Sequence, residues 1–235
     1  KTLNNIWGNH SSIMVGDYLL SRCFEMMVED GNLEILKILS SASAEISQGE
    51  VLQLQHKGEI DMLEETYLKI ISAKTASLFA AATKVGSILA NKENKIKEAL
   101  EFYGKNLGLT FQIADDTLDY NSELKLFGKE IGNDFYEGKI TLPIILLYQK
   151  AKSEEKLEIK EFFDKNERSE IEFKKILSMI KKHNIISECY KKAEHFISLA
   201  SNSLSIFSES KEKDVLQNLK DRDFEDSNRK MSPLK

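Results

Sequence analysis

Three aspartates fall within five residues of "FQIADDTLDY" (111–120): Asp115, Asp116 and Asp119. In a helix, 115 and 119 are i,i+4 neighbours and 116 and 119 are i,i+3 neighbours, so their carboxylates can converge on one cation. Aspartate is a mediocre helix former, and like charges one turn apart repel. An all-oxygen cluster with no histidine or cysteine beside it favours a hard ion, Mg²⁺ before Zn²⁺. The competing reading is a set of solvated surface acids. Against it stand the apolar neighbours Phe111, Ile113, Ala114 and Leu118, and the segment that follows. Gly108 and Gln112 share the acidic stripe.

That following segment is "NSELKLFGKEIGNDFYEGKITLP" (121–143). Gly128, Gly132 and Gly138 give it freedom, and Lys125, Lys129 and Lys139 give it cationic reach. Beside a magnesium site it would close over a polyphosphate and exclude water. It also reads as an ordinary surface connection; its length is the argument for function. Lys74 and Thr75 stand in the small-residue run "AKTASLFAAATKVG" (73–86). A lysine turned into a helical bundle needs an anion, and a threonine there bonds the carbonyl one turn back. The alternative is a snorkelling lysine beside an ordinary threonine.

The elements carrying these residues read as helices throughout. A first helix over about 12–29 is apolar around nearly its whole circumference, which predicts a central position in a bundle. Helices follow over about 33–56, 60–90 and 92–120, the last with the stripe Leu100, Tyr103, Leu107, Phe111, Ala114 and Leu118. "TLPIILLYQKA" (141–151) starts another, with Pro143 in its first turn. Amphipathic helices are expected near 154–164, 169–182, 185–207 and 211–220. All eleven glycines lie at or before Gly138, and no alternating β-branched run appears. The whole, 1–235, reads as one all-α domain whose residues after about 220 are atypical.

The net charge of −5 argues against nucleic acid as the main partner. No run approaches the ~20 apolar residues of a membrane span, and "KTLNNIWGNH" lacks the layout of a signal peptide. Cys23 and Cys189 are far apart within helical patterns, which fits a reduced, cytoplasmic compartment.

"FQIADDTLDY" followed by "FGKEIGNDFYEGKITLP" closely resembles the second aspartate-rich motif and lid of trans-prenyltransferases, the polyprenyl diphosphate synthases. "KTASL", "NNIWGNHSSIMVGDYLLSR" and "EISQGEVLQL" extend the likeness over residues 1 to about 219. It is nearest to the bacterial octaprenyl type that makes the quinone side chain. The resemblance implies an isoprenoid-synthase-type helical bundle. It implies that Asp115, Asp116 and Asp119 bind Mg²⁺ bridging to an allylic diphosphate. Lys74, Lys129 and Lys139 would hold that diphosphate, with Thr75 and Gln112 near the substrates, allylic and isopentenyl diphosphate.

Family members carry a first aspartate-rich motif, with an arginine pair, upstream of "NNIWGN". The first methionine here is Met14, and the expectation is a chain lacking the family's N-terminal helices. Three readings stay open. One is a synthase active only with its N-terminal part, as a homodimer or paired with an N-terminal fragment or a full synthase. The others are a non-catalytic subunit of a heteromeric synthase and a helical protein that only binds an isoprenoid or metal.

Overall fold

The structure is a computed structural model that describes residues 3–121 and 131–219. The expectations placed on Lys125, Gly128 and Lys129 lie outside the described residues, as does the tail from 220. Among the described residues there are helices and turns and no strand.

The chain divides into two compact units, Lys1–Ser41 and Ala42–Lys235. The first holds α1 (Leu3–Asp30) and the opening turns of α2 (Leu33–Gln55). Helix α1 begins well before the expected Ser12, and Gly8, at φ 83° and ψ 165°, kinks it. No residue of α1 is buried, so the burial expected from its apolar circumference is not met. An apolar circumference reports that a helix needs cover; it does not say what covers it. Asn32 starts α2 by accepting hydrogen bonds at Oδ1 from the backbone N–H of Glu34 (2.9 Å) and Ile35 (3.2 Å).

In the second unit, the expected helix over 60–90 is interrupted. It consists of α3 (Glu64–Ile71), a five-residue π-helical segment (Ser72–Ala76) and α4 (Ser77–Leu89). Helix α5 (Asn94–Leu118) packs against α4, the π segment and α10 (Ile185–Ser203), and so forms the spine of the unit. A short helix, α6 (Asn133–Glu137), lies within the segment read as a loop, with Gly132 and Gly138 in left-handed conformations at its ends.

Helix α7 (Leu142–Lys150) has Pro143 in its first turn and is buried continuously from Leu142 to Leu147. Such a run is buried on all sides, and it joins Tyr67, Ile70, Ile113, Phe135 and Ile176 in the main core. Phe135 is fully buried and meets Phe163 edge-on at 5.5 Å and Phe173 at 5.4 Å.

Helices α8 (Ser153–Phe163) and α9 (Glu170–Lys182) complete that core. Ser169 and Glu172 start α9 as a capping box: Ser169 Oγ accepts from Glu172 N–H, and Glu172 Oε2 accepts from Ser169 N–H (2.7 Å). Asn184, at φ 53°, joins α9 to α10. A last helix, α11 (211–219), is tied to α5 by Tyr103, whose hydroxyl donates to the carbonyl of Leu216 (2.8 Å).

Candidate functional site

The π segment carries Lys74 and Thr75, and two glycines allow it to sit where it does. A Cβ on Gly49 of α2 would lie 2.6 Å from the backbone nitrogen of Lys74, and one on Gly108 of α5 would lie 2.6 Å from the Cα of Ala76. Neither contact is tolerable for a side chain, so both helices approach the segment backbone to backbone. A π turn carries one extra residue per turn and often marks a functional position. Here its effect is to aim Thr75 at α5: Thr75 Oγ1 donates to Gln112 Oε1 (2.7 Å).

From Gln112 the bonding continues inward. Gln112 Nε2 donates to Asp116 Oδ1 (2.8 Å), and the hydroxyl of Tyr67 on α3 donates to Asp116 Oδ2 (2.7 Å). Thr75, Gln112, Asp116 and Tyr67 therefore form one hydrogen-bonded chain across three elements. Asp116 is only 6% exposed. Burial, reinforced by the charges of Asp134 and Asp115, pushes its carboxyl up to about 7 against the two donors that favour ionisation.

The three aspartates go separate ways. Asp116 points inward. Asp119 turns to the start of α6, where Oδ1 accepts from Gly132 N–H (3.0 Å) and Asn133 N–H (3.2 Å) and Oδ2 from Asp134 N–H (2.9 Å). Asp115 is exposed, and its carboxylate makes no hydrogen bond or ion pair among the described residues. Among those residues, no three Asp, Glu, His or Cys side chains form a group that could hold a metal ion.

The donor chemistry nonetheless fits a hard cation of the magnesium kind. Such an ion keeps several waters and takes one or two carboxylates together with substrate phosphates, and Asp115 offers that open carboxylate. A ready-made cage of all three does not fit, because Asp116 and Asp119 already serve other donors.

The lysines have carboxylate and amide partners. Lys74 Nζ contacts Gln53 Oε1 (2.9 Å) and Glu50 Oε1 (3.0 Å), both on α2. Lys139 Nζ lies 2.6 Å from Glu137 Oε2 and 3.5 Å from Asp134 Oδ1. Asp134 itself is pushed up to about 6, by burial first and by Asp119 next, with Lys139 opposing. The structure thus joins Thr75, Gln112 and Asp116 directly and links Asp119 to Lys139 through α6.

Sequence reasoning missed Tyr67, Asp134, Glu50 and Gln53. Tyr67 sits at helical spacing among apolar residues, where an aromatic reads as core. Its tie to Asp116 depends on how α3 crosses α5, which no local pattern records. A cavity of about 450 Å³ lined by Glu45, Leu68, Ser72, Leu109 and Phe196, among others, borders the π segment but contains none of the expected site residues.

A family model described as polyprenyl synthetase matches residues 1–180. The chain is 37% identical over 218 residues to a Rhodobacter capsulatus protein named all-trans-nonaprenyl-diphosphate synthase (geranyl-diphosphate specific), covering 93% of this chain and 66% of that one. It is 43% identical over 144 residues to the octaprenyl diphosphate synthase of Escherichia coli K12, covering 61% and 45%. The crystal structure of a polyprenyl synthase from Caulobacter crescentus CB15, complexed with calcium and isoprenyl diphosphate, matches with a TM-score of 0.87 at 38% identity, over 92% of this chain and 66% of that one. The chain spans about two thirds or less of the length of these relatives.

Proposed function

Because the chain belongs to the polyprenyl synthetase family, we propose that it condenses isopentenyl diphosphate with an allylic diphosphate, working with the third of the family fold that residues 1–235 do not match. The observation that carries the reading is the bonded chain from Thr75 through Gln112 to Asp116, set beside an open Asp115 on the same helix. An enzyme handling diphosphate needs fixed polar groups around one exposed carboxylate, and this arrangement supplies them.

In this reading Asp115 would hold Mg²⁺, which would supply neutralisation of the charge that gathers on the leaving diphosphate. Asp116, anchored by Tyr67 and Gln112, fixes the face of α5 from which Asp115 projects. Lys74 and Lys139 exchange their carboxylate partners for diphosphate oxygens, and Lys129 adds a third cation. The allylic carbon–oxygen bond breaks with its electron pair leaving on the diphosphate. The isopentenyl double bond attacks the allylic carbon, and a proton is lost to leave a new double bond. Apolar helix faces keep water from the cation. An octaprenyl product is supported by the likeness to the Escherichia coli protein named octaprenyl diphosphate synthase, and a quinone side chain is the destination we propose for it.

The test is incorporation of labelled isopentenyl diphosphate into an allylic primer with Mg²⁺. Residues 1–235 would be assayed alone and with the N-terminal segment of the Rhodobacter relative. Elongation is expected with the segment, ending at eight isoprene units, and at least about 10²-fold slower without it, since loss of one electrostatic stabiliser already costs that much. Incorporation in neither case, with both pieces folded, overturns the reading. So does full activity without Mg²⁺.

A further inference from the structure

We propose that Asp119 is a positioning residue: its carboxylate anchors α6 and thereby sets Lys139, and it does not ligate metal. The proposal deepens the functional reading above and rests on its assignment of Lys139 to diphosphate. An ionised carboxylate offers about four lone-pair sites. Three of them here accept the backbone N–H groups of Gly132, Asn133 and Asp134, and the backbone carbonyl of Asp119 takes Gly132 N–H as well (2.9 Å). This is the N-terminus of α6, where a carboxylate satisfies orphan donors and meets the positive end of the helix dipole.

Five residues of helix do not stand alone in water, so α6 depends on what holds its ends. At the far end, the Arg168 guanidinium donates to the carbonyls of Tyr136 (3.4 Å) and Phe163 (2.9 Å) and packs against Gly138, where a Cβ would lie 2.7 Å from Nη2. Between the clamps, Phe135 is fully buried. Lys139 follows directly. Its backbone N–H donates to the carbonyl of Asp134 (2.9 Å), and its ammonium contacts Glu137 and Asp134, both on α6. A carboxylate at the C-cap of the aspartate-bearing helix thus fixes the short helix that a cation directly follows. The metal-facing and lysine-facing halves of the site are held in register by Asp119.

The test uses residues 1–235 without divalent metal, in the presence of EDTA, and two measurements. The first is hydrogen exchange at the amides of 132–139. Asp119→Ala should accelerate it at least tenfold, Asp119→Asn less, and Asp115→Asn not at all. The second is the affinity for inorganic pyrophosphate. Asp119→Ala and Lys139→Ala should each weaken it about three- to tenfold, and the double variant should be no worse than Lys139→Ala alone. A pure metal ligand predicts the opposite in EDTA, because removing an anion should leave pyrophosphate binding unchanged or tighter. Unchanged exchange in both Asp119 variants, or unweakened pyrophosphate binding in them, overturns the proposal. Should Asp119→Ala fail to fold, Asp119→Asn decides. Equal affinities of wild type and Lys139→Ala would instead remove the diphosphate role of Lys139, which is a failure of the functional reading.

Discussion

Each of the three aspartates has a distinct environment, and the hydroxyl of Tyr67 decides one of them. It is one of two donors to a carboxylate that is almost wholly buried. Tyr67→Phe keeps the ring in the core and removes only that donor. A buried acceptor left short of a partner costs about 1–3 kcal/mol. Urea unfolding of the variant should show a loss of that size with an unchanged m value. An unaltered midpoint would mean that the hydroxyl contributes nothing to holding Asp116. The residue types were legible from the sequence, since an aspartate cluster in an apolar helix has few uses. Their division of labour was not. It depends on Tyr67, 49 positions before Asp116, and on amides 13 to 15 positions after Asp119.

Among the elements, the π segment is the one whose geometry most directly shapes the site, and Gly49 is one of the two glycines that constrain it most tightly. Glycine in a helix costs about 1 kcal/mol relative to alanine, so Gly49→Ala would gain that much from propensity alone. Against it stands a Cβ 2.6 Å from a backbone nitrogen, a contact that only separation of α2 from the segment relieves. Overpacking of this kind costs about 1–3 kcal/mol. The clash should win, and Gly49→Ala should lower the thermal midpoint and, under the role proposed for Lys74, weaken pyrophosphate binding. A midpoint raised above wild type would refute the close approach.

Helix α9 gives a prediction in pH. Glu172 is held down to about 2, first by Lys165, which lies 2.7 Å from Oε1, and then by the Ser169 backbone N–H. A carboxyl lowered on folding stabilises the fold above its unfolded value near 4.5, and that contribution disappears as pH falls towards 2. The stability difference between wild type and Glu172→Gln should therefore be constant above about pH 5 and shrink below it. A difference that grows on acidification would contradict the sign. The extent of α9 was readable from the amphipathic spacing over about 169–182, its capping box only from the structure. The π segment was not, because a one-residue wedge leaves the helical pattern on either side intact.

For the molecule as a whole, the run of helices followed from apolar spacing and the lack of glycine after Gly138, with boundaries displaced at Leu3 and a short helix gained at α6. The exposure of α1 did not follow, since periodicity describes a surface and not its neighbours. Neither core cluster of the second unit contains a residue before Leu52. Residues 42–235 should consequently fold without 1–41, giving a helical circular dichroism spectrum and one cooperative thermal transition. A molten product, with helix but no near-ultraviolet signal, would show that its core is not self-sufficient. The chain Thr75–Gln112–Asp116–Tyr67 has a further consequence, because hydrogen bonds have direction. Thr75 gives its single proton to Gln112, so an anion arriving there meets only lone pairs. To greet it, the threonine must turn its proton outward, leaving the Gln112 carbonyl unmatched. The amide that then turned to recover a partner would withdraw its N–H from Asp116. Arrival of an anion at the rim would thus be registered as a lost donor in the core, one helix away.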